Sequence, residues 1–236
     1  MRRIALYVLL SLLSALGVAR AETLALPSGL IALDSAEGER LFFEANLTRS
    51  FFPLSMHFVT QVNPAFCGPA SIAMVLNALN VPRTPSDLTT GLGMFDQDNV
   101  FTPRAELVKA RAKVERGGMT LDELGGILAA HDLKVEVHHA ADTSLEAFRN
   151  AAINELAGAS RFVLVNYLRS ALGQKTSGHI SPLAAYDAAT DRFLILDVSR
   201  YKYPPVWVEA PAIFAALNTA DSDAAGKTRG YVIVGR

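Results

Sequence analysis

A single cysteine, Cys67, stands in a chain of 236 residues, so no internal disulfide can staple this fold. Whatever the chain becomes must be held by its own apolar core. Half of the residues are hydrophobic, enough for one domain with a full core. The cysteine lies in the run Gln61-Val62-Asn63-Pro64-Ala65-Phe66-Cys67-Gly68-Pro69-Ala70-Ser71-Ile72. Asn63 and Pro64 read as a helix start, and Ala70, Ile72, Ala73, Val75, Leu76 and Leu79 recur behind them at helical spacing. The thiol therefore falls in a first helical turn, where unpaired N–H groups and the positive end of the macrodipole favour a thiolate. The plainer alternative is a buried cysteine acting as a small hydrophobe.

The N-terminus reads as a leader. Met1-Arg2-Arg3 precedes an apolar run from Ile4 to Leu16, and Ala19-Arg20-Ala21 supplies a small-x-small cleavage site. This predicts a signal peptide over residues 1–21, cleavage after Ala21, and export to a bacterial periplasm. An uncleaved N-terminal anchor is the alternative. No later stretch approaches the roughly 18 to 20 apolar residues a membrane span needs. Residues 22–236 are then one domain. The formal net charge of −1 argues against nucleic acid or a membrane surface as the main partner of the mature chain.

Leu41-Phe42-Phe43 and Phe51-Phe52 are expected to supply aromatic packing ahead of the Cys67 helix. Thr102-Pro103 opens a helix running to about Ala112. Thr120-x-x-Glu123 and Thr143-x-x-Glu146 read as capping boxes, for helices ending near Ala130 and Ala157. Leu133–His138, Arg161–Leu168, Ile180–Tyr186, Arg192–Val198, Tyr201–Val208 and Gly230–Val234 read as strands. Helices come early and an antiparallel sheet comes late, which is the α+β pattern, with two lobes and a cleft between them. His138-His139 is a bare pair without metal-ligand spacing, so no metal site is expected.

A cysteine nucleophile needs an imidazole to take its proton, and the imidazole needs an acceptor on its other nitrogen. His179 follows the small residues Thr176-Ser177-Gly178 and enters the first strand of a hairpin. Asp197 ends the second strand, after four apolar residues. A turn centred near Ala188 and Ala189 places His179 and Asp197 opposite or nearly opposite each other. The carboxylate can then fix the imidazole tautomer and stabilise the imidazolium. A surface histidine and a turn-capping aspartate are the alternatives. Gln61, six residues before Cys67, can offer an amide to a developing oxyanion beside the Cys67 N–H.

The order Gln, Cys at a helix start, then His and Asp in a late sheet resembles a papain-like cysteine hydrolase with a two-lobed fold. The closer resemblance is to the phytochelatin synthases. It is carried by Asn63-Pro64-Ala65-Phe66-Cys67-Gly68-Pro69-Ala70-Ser71, by Ser177-Gly178-His179-Ile180-Ser181-Pro182, and by Ile195 through Val208. Gly226-Lys227-Thr228-Arg229-Gly230-Tyr231 is similar to the family as well, and the likeness runs from Phe51 to Arg236.

That resemblance implies an enzyme that cleaves glycine from glutathione through a γ-glutamylcysteinyl thioester and passes the acyl group to water or a second glutathione. Cys67 is then nucleophile, His179 base and acid, Asp197 orienter and Gln61 oxyanion donor. Arg229, Asp221 and Gly178 are implied as substrate-binding, with Asp223 an alternative to Asp221. No resident cofactor is implied; a heavy-metal ion acts through the metal–glutathione thiolate as substrate. The cysteine-rich C-terminal region of the plant enzymes is absent, Ala184-Ala185 depart from their pattern, and hydrolysis is expected to dominate. The resemblance also implies a homodimer. Two rivals stand beside it: an exported papain-like peptidase acting on other peptides, and a non-catalytic thiol- or metal-binding periplasmic protein.

Overall fold

A computed structural model describes residues 23–83, 93–175 and 177–236, so the leader assigned to residues 1–21 and Thr176 ahead of His179 lie outside the described residues. Its frame is one antiparallel sheet. The strands are β1 (Ile31–Ala32), β2 (Lys134–His139), β3 (Arg161–Leu168), β4 (Gly178–Asp187), β5 (Arg192–Ile195), β6 (Val206–Glu209) and β7 (Gly230–Gly235). They lie in the order β1-β6-β5-β4-β3-β7-β2. The described helices are α1 (Ala36–Glu44), α2 (Phe51–Ser55), α3 (Cys67–Ala78), α4 (Pro103–Val108), α5 (Arg111–Gly117), α6 (Leu121–Ala129), α7 (Leu145–Leu156) and α8 (Ala210–Leu217). The mixed helix and antiparallel sheet expected from the sequence is the architecture found.

The central strand shows how the layers arise. β3 reads Arg-Phe-Val-Leu-Val-Asn-Tyr-Leu, and successive side chains leave opposite faces. Phe162 and Leu164 enter one core with Ile72, Val75 and Leu76 of α3 and Leu124 of α6. Val163, Val165 and Tyr167 enter a second core with Phe148 and Leu156 of α7 and Ile213 and Leu217 of α8. The sequence expectation of an early helical lobe and a late sheet lobe thus needs correcting. One sheet carries an apolar core on each face, because the late helices α7 and α8 bring their own apolar stripes to cover the second face.

Several boundaries also differ. The helix expected over 102–112 breaks at Lys109, which is extended, and the break seats Val108 on Gly126 of α6. A Cβ at Gly126 would meet Val108 Cγ1 at 2.8 Å. Thr120 forms its capping box with Glu123, but α7 is capped by Ser144, one residue later than expected. Thr143 is spent closing the short 3-10 turn Ala140–Asp142. β6 begins only at Val206, since Pro204 and Pro205 have no N–H to give a ladder. Of the early aromatics, Phe42 and Phe51 pack edge to face at 4.5 Å while Phe43 and Phe52 are exposed, because neighbours in a helix face different ways.

Candidate active site

Cys67 is the first residue of α3. Asn63 Oδ1 accepts from the Ala65 N–H at 2.7 Å and the Asn63 carbonyl from Phe66 at 2.9 Å, forming a tight turn just ahead of the helix. No side chain caps α3, so no cap acceptor takes up its first-turn N–H groups, and the positive end of the helix lies at Cys67. Two bonds lock this helix start to the sheet. Ser71 Oγ donates to the Ile180 carbonyl at 3.2 Å, and the Gln61 N–H donates to the Val198 carbonyl at 2.9 Å. Residues flanking the cysteine are therefore tied to the neighbours of His179 and of Asp197.

His179 sits near the start of β4, buried. Its Nε2 lies 2.9 Å from Asp197 Oδ1 and 3.0 Å from Ser181 Oγ. With Nε2 engaged there, Nδ1 is the nitrogen left for Cys67, with which the imidazole is electrostatically coupled. The register explains the approach. Leu183 faces Ile195 across β4 and β5, and the pairing shifts at a bulge between Leu183 and Ala185. Continued past Ile195, it puts Ser181 opposite Asp197 and His179 one alternate residue further along, on the diagonal. β5 ends before Asp197 because side chains take over its ladder: Val198 N–H donates to Ser181 Oγ and Ser199 N–H to Asp197 Oδ1.

Asp197 is completely buried and has a second cationic neighbour the sequence did not announce. Arg169 Nη2 lies 2.8 Å from its carboxylate, and Arg169 Nη1 donates to Gln174 Oε1 at 2.7 Å. The guanidinium lies over the rings of Tyr203 and Tyr167, 5.3 and 5.9 Å from their centroids. Tyr167 also sets its ring edge against His179 at 5.6 Å.

The electrostatics follow from this packing. Burial alone would raise the Asp197 pKa, but the His179 charge and hydrogen bond, Arg169 and the Ser199 N–H bring it down to about 2. Burial would lower the His179 pKa, yet Asp197 raises it above the ordinary imidazole value. Burial would likewise raise the Cys67 thiol, but the His179 hydrogen bond and charge, an Ile180 backbone bond and Arg169 bring it below the usual thiol range. These directions together favour a thiolate–imidazolium pair.

Cys67 and His179 open onto a cleft of about 540 Å³. Arg229 and Asp221 line it, each nearly buried, with Nη2 and Oδ1 3.4 Å apart. Arg229 Nη1 is held by Thr219 and the Ala220 carbonyl, while Nε is buried without a partner. The Nε–Nη2 edge of the guanidinium faces Gly178: a Cβ there would come 3.0 Å from Nε and 3.1 Å from Nη2. Asp223 lines the cleft too, but its own contact with the pair is an N–H donated to Asp221 Oδ1 at 3.3 Å.

Gln61 stands apart from the cleft lining, buried, with Nε2 donating to the Asn63 carbonyl at 2.8 Å. Among residues the sequence reading missed, Ser181 shares the face of His179 by simple strand alternation. Asn166 lines the cleft with its amide nitrogen unpaired. Arg169 carried no local signal, since it lies 28 residues from its partner. Among the described residues no three His, Cys, Asp or Glu side chains come together to hold a metal. His139 is tied to Asp122 and the Thr228 carbonyl, and His138 stacks on Tyr231. No helix of the described residues is long and apolar enough to cross a membrane.

Comparison with known proteins places the chain in a family. A family model described as phytochelatin synthase matches residues 21–231. The chain is 35% identical over 205 residues to glutathione gamma-glutamylcysteinyltransferase 1 of Lotus japonicus, covering 86% of this chain and 40% of that protein. It is 31% identical over 209 residues to the Arabidopsis thaliana glutathione gamma-glutamylcysteinyltransferase 1, covering 87% and 42%. Over 212 residues it is 30% identical to the glutathione gamma-glutamylcysteinyltransferase of Schizosaccharomyces pombe, covering 89% and 50%. The chain spans half the length of these curated relatives or less.

Proposed function

The chain belongs to the phytochelatin synthase family, and on that premise we propose that it cleaves glycine from glutathione through an acyl-enzyme on Cys67. The observation that carries this reading is the constellation of Cys67, His179 and Asp197 at a cleft walled by Arg229 and Asp221. The Cys67 thiolate attacks the carbonyl carbon of the cysteinyl–glycine bond. As the C–N bond breaks, His179 delivers its proton to the departing glycine amine. Water or a second glutathione then attacks the thioester and gives its proton back to His179, and sulfur leaves as thiolate. Asp197 holds the tautomer through both halves.

Oxyanion stabilisation falls to the Cys67 N–H and to Gln61, whose amide has a second hydrogen beyond the one bound by Asn63. Arg229 takes the α-carboxylate of the γ-glutamyl group, buttressed by Asp221, and Gly178 keeps that surface open. A helix N-terminus presenting sulfur to a sheet-borne imidazole and carboxylate supports a papain-like fold. Export by the N-terminal leader, hydrolysis outweighing polymer formation, a metal–glutathione thiolate as an alternative substrate form, and a homodimer complete the proposal.

The test is direct. Purified protein incubated with glutathione releases glycine, while ordinary peptides of similar length are left intact. Cys67→Ser and His179→Ala both bring glycine release to background, since nucleophile and base act as a unit. Peptide hydrolysis without glycine release from glutathione, or a fully active Cys67→Ser, overturns the reading.

A further inference from the structure

The cleft is lined by two arginines held in contrasting ways. Arg229 is buried and tied to Thr219, Ala220 and Asp221. Arg116, in the last turn of α5, is exposed and has no hydrogen bond or ion pair among the described residues. Its neighbour Glu115 is occupied by Arg111.

The turn that carries Arg116 is keyed to the residues on either side of Cys67. Gly118 closes α5 at φ +70°, a left-handed conformation that favours glycine. Next to it, Met119 fills the space above Gly68, where a Cβ would meet its sulfur at 2.4 Å. Gly118 itself faces the Ala65 carbonyl. The Arg116 turn thus packs on residues to either side of Cys67, and Arg116 lines the same cleft as Cys67, His179, Gly178 and Arg229. The cleft at the reacting sulfur carries two cations of unequal character.

That asymmetry matches the two ends of one tripeptide. The γ-glutamyl end of glutathione carries an ammonium and a carboxylate, which calls for a cation with acids beside it, as in Arg229 with Asp221 and Asp223. The glycine end carries a lone carboxylate, two bonds beyond the scissile nitrogen. It calls for a cation close to the sulfur with no acid partner, and a mobile one, because the glycine must leave. Resting on the glutathione reading above, we propose that Arg116 binds the glycine carboxylate of glutathione and makes the enzyme selective for a free C-terminus at the leaving group.

The experiment compares kcat/KM for glutathione and for its glycinamide analogue, in wild type and in Arg116→Gln, by release of glycine or glycinamide. A charge-assisted contact of this kind predicts that wild type favours the acid by about ten- to hundredfold. Arg116→Gln should lose that factor on glutathione alone, bringing the two substrates level, with Arg116→Lys in between. Arg229→Gln, the control, should lower both substrates by the same factor. Equal loss on both substrates in Arg116→Gln, or no preference in wild type, overturns this inference alone. A wild type inert toward glutathione overturns the proposed function and this inference with it.

Discussion

The molecule contains two arginine–aspartate pairs near His179, and they are built for different work. Arg169 and Asp197 are sealed: 2.8 Å apart, almost without solvent exposure, with the arginine also donating to Gln174 and two tyrosine rings beside its guanidinium. Arg229 and Asp221 are looser, at 3.4 Å, and Nε is left without a partner at the wall of a cleft. The difference is one of access. A pair sealed from solvent can orient a neighbour but cannot take a ligand. A pair at a cleft wall with a donor to spare can. The first positions the imidazole; the second is the place for a charged substrate.

Breaking the sealed pair should hurt turnover most. Asp197→Asn is predicted to lower kcat by about 10³–10⁴-fold with KM little changed, because the tautomer is lost while the binding wall stays. The pH profile sharpens the point. For a thiolate–imidazolium pair the acid limb reports Cys67, whose pKa is lowered, and the alkaline limb reports His179, whose pKa is raised. Losing the Asp197 charge lets the alkaline limb fall, because Asp197 is what raises the His179 pKa, so the active window closes from its alkaline side. A profile that keeps its width in Asp197→Asn would contradict the assignment.

Arg169→Met comes next. It strands a buried carboxylate, which is predicted to cost about 3–5 kcal/mol of stability in denaturant titration and about 100-fold in turnover through misplaced His179. The Asp197 carboxyl also ties stability to pH. Its folded pKa of about 2 lies below the unfolded value of roughly 3.9, so its contribution is present above that unfolded value and is lost as pH falls toward 2. Acid unfolding curves of Asp197→Asn should lack this component.

The open pair should respond the other way. Arg229→Gln is predicted to raise KM for glutathione ten- to hundredfold, with a smaller loss of stability than Arg169→Met. The smallest effect belongs to Gly178→Ala, whose methyl group would press on Arg229 Nε and shift it by tenths of an ångström, raising KM a few-fold. If Arg229→Gln unfolds the protein and Arg169→Met merely raises KM, the division of labour drawn here is reversed.

These two pairs also mark where sequence reasoning stopped. Local patterns carried β3 through alternation, α6 through the Thr120 capping box, and the helix behind Cys67 through its apolar spacing. The nearness of His179 and Asp197 was legible because hairpin geometry links residues a fixed distance from a turn. The offset of the pairing was not: the register at Leu183 and Ile195, continued, sets Ser181 rather than His179 opposite Asp197, so Ser181 was missed. Arg169 was invisible for a different reason: a cation that meets its carboxylate across the fold leaves no spacing to read. The break between α4 and α5 came from Val108 finding Gly126, a tertiary contact that overrode a continuous helical pattern.

The central claim is that the Cys67 sulfur carries the acyl group. Wild-type protein mixed briefly with glutathione, quenched in acid and measured by intact and peptide mass tests it most directly. The account predicts a γ-glutamylcysteinyl group on the Cys67 peptide, equal to glutathione less glycine, stable to phosphine reductant and removed by hydroxylamine. Glycine accumulating while Cys67 stays unmodified, or with only the reducible mass of a whole glutathione, would contradict it.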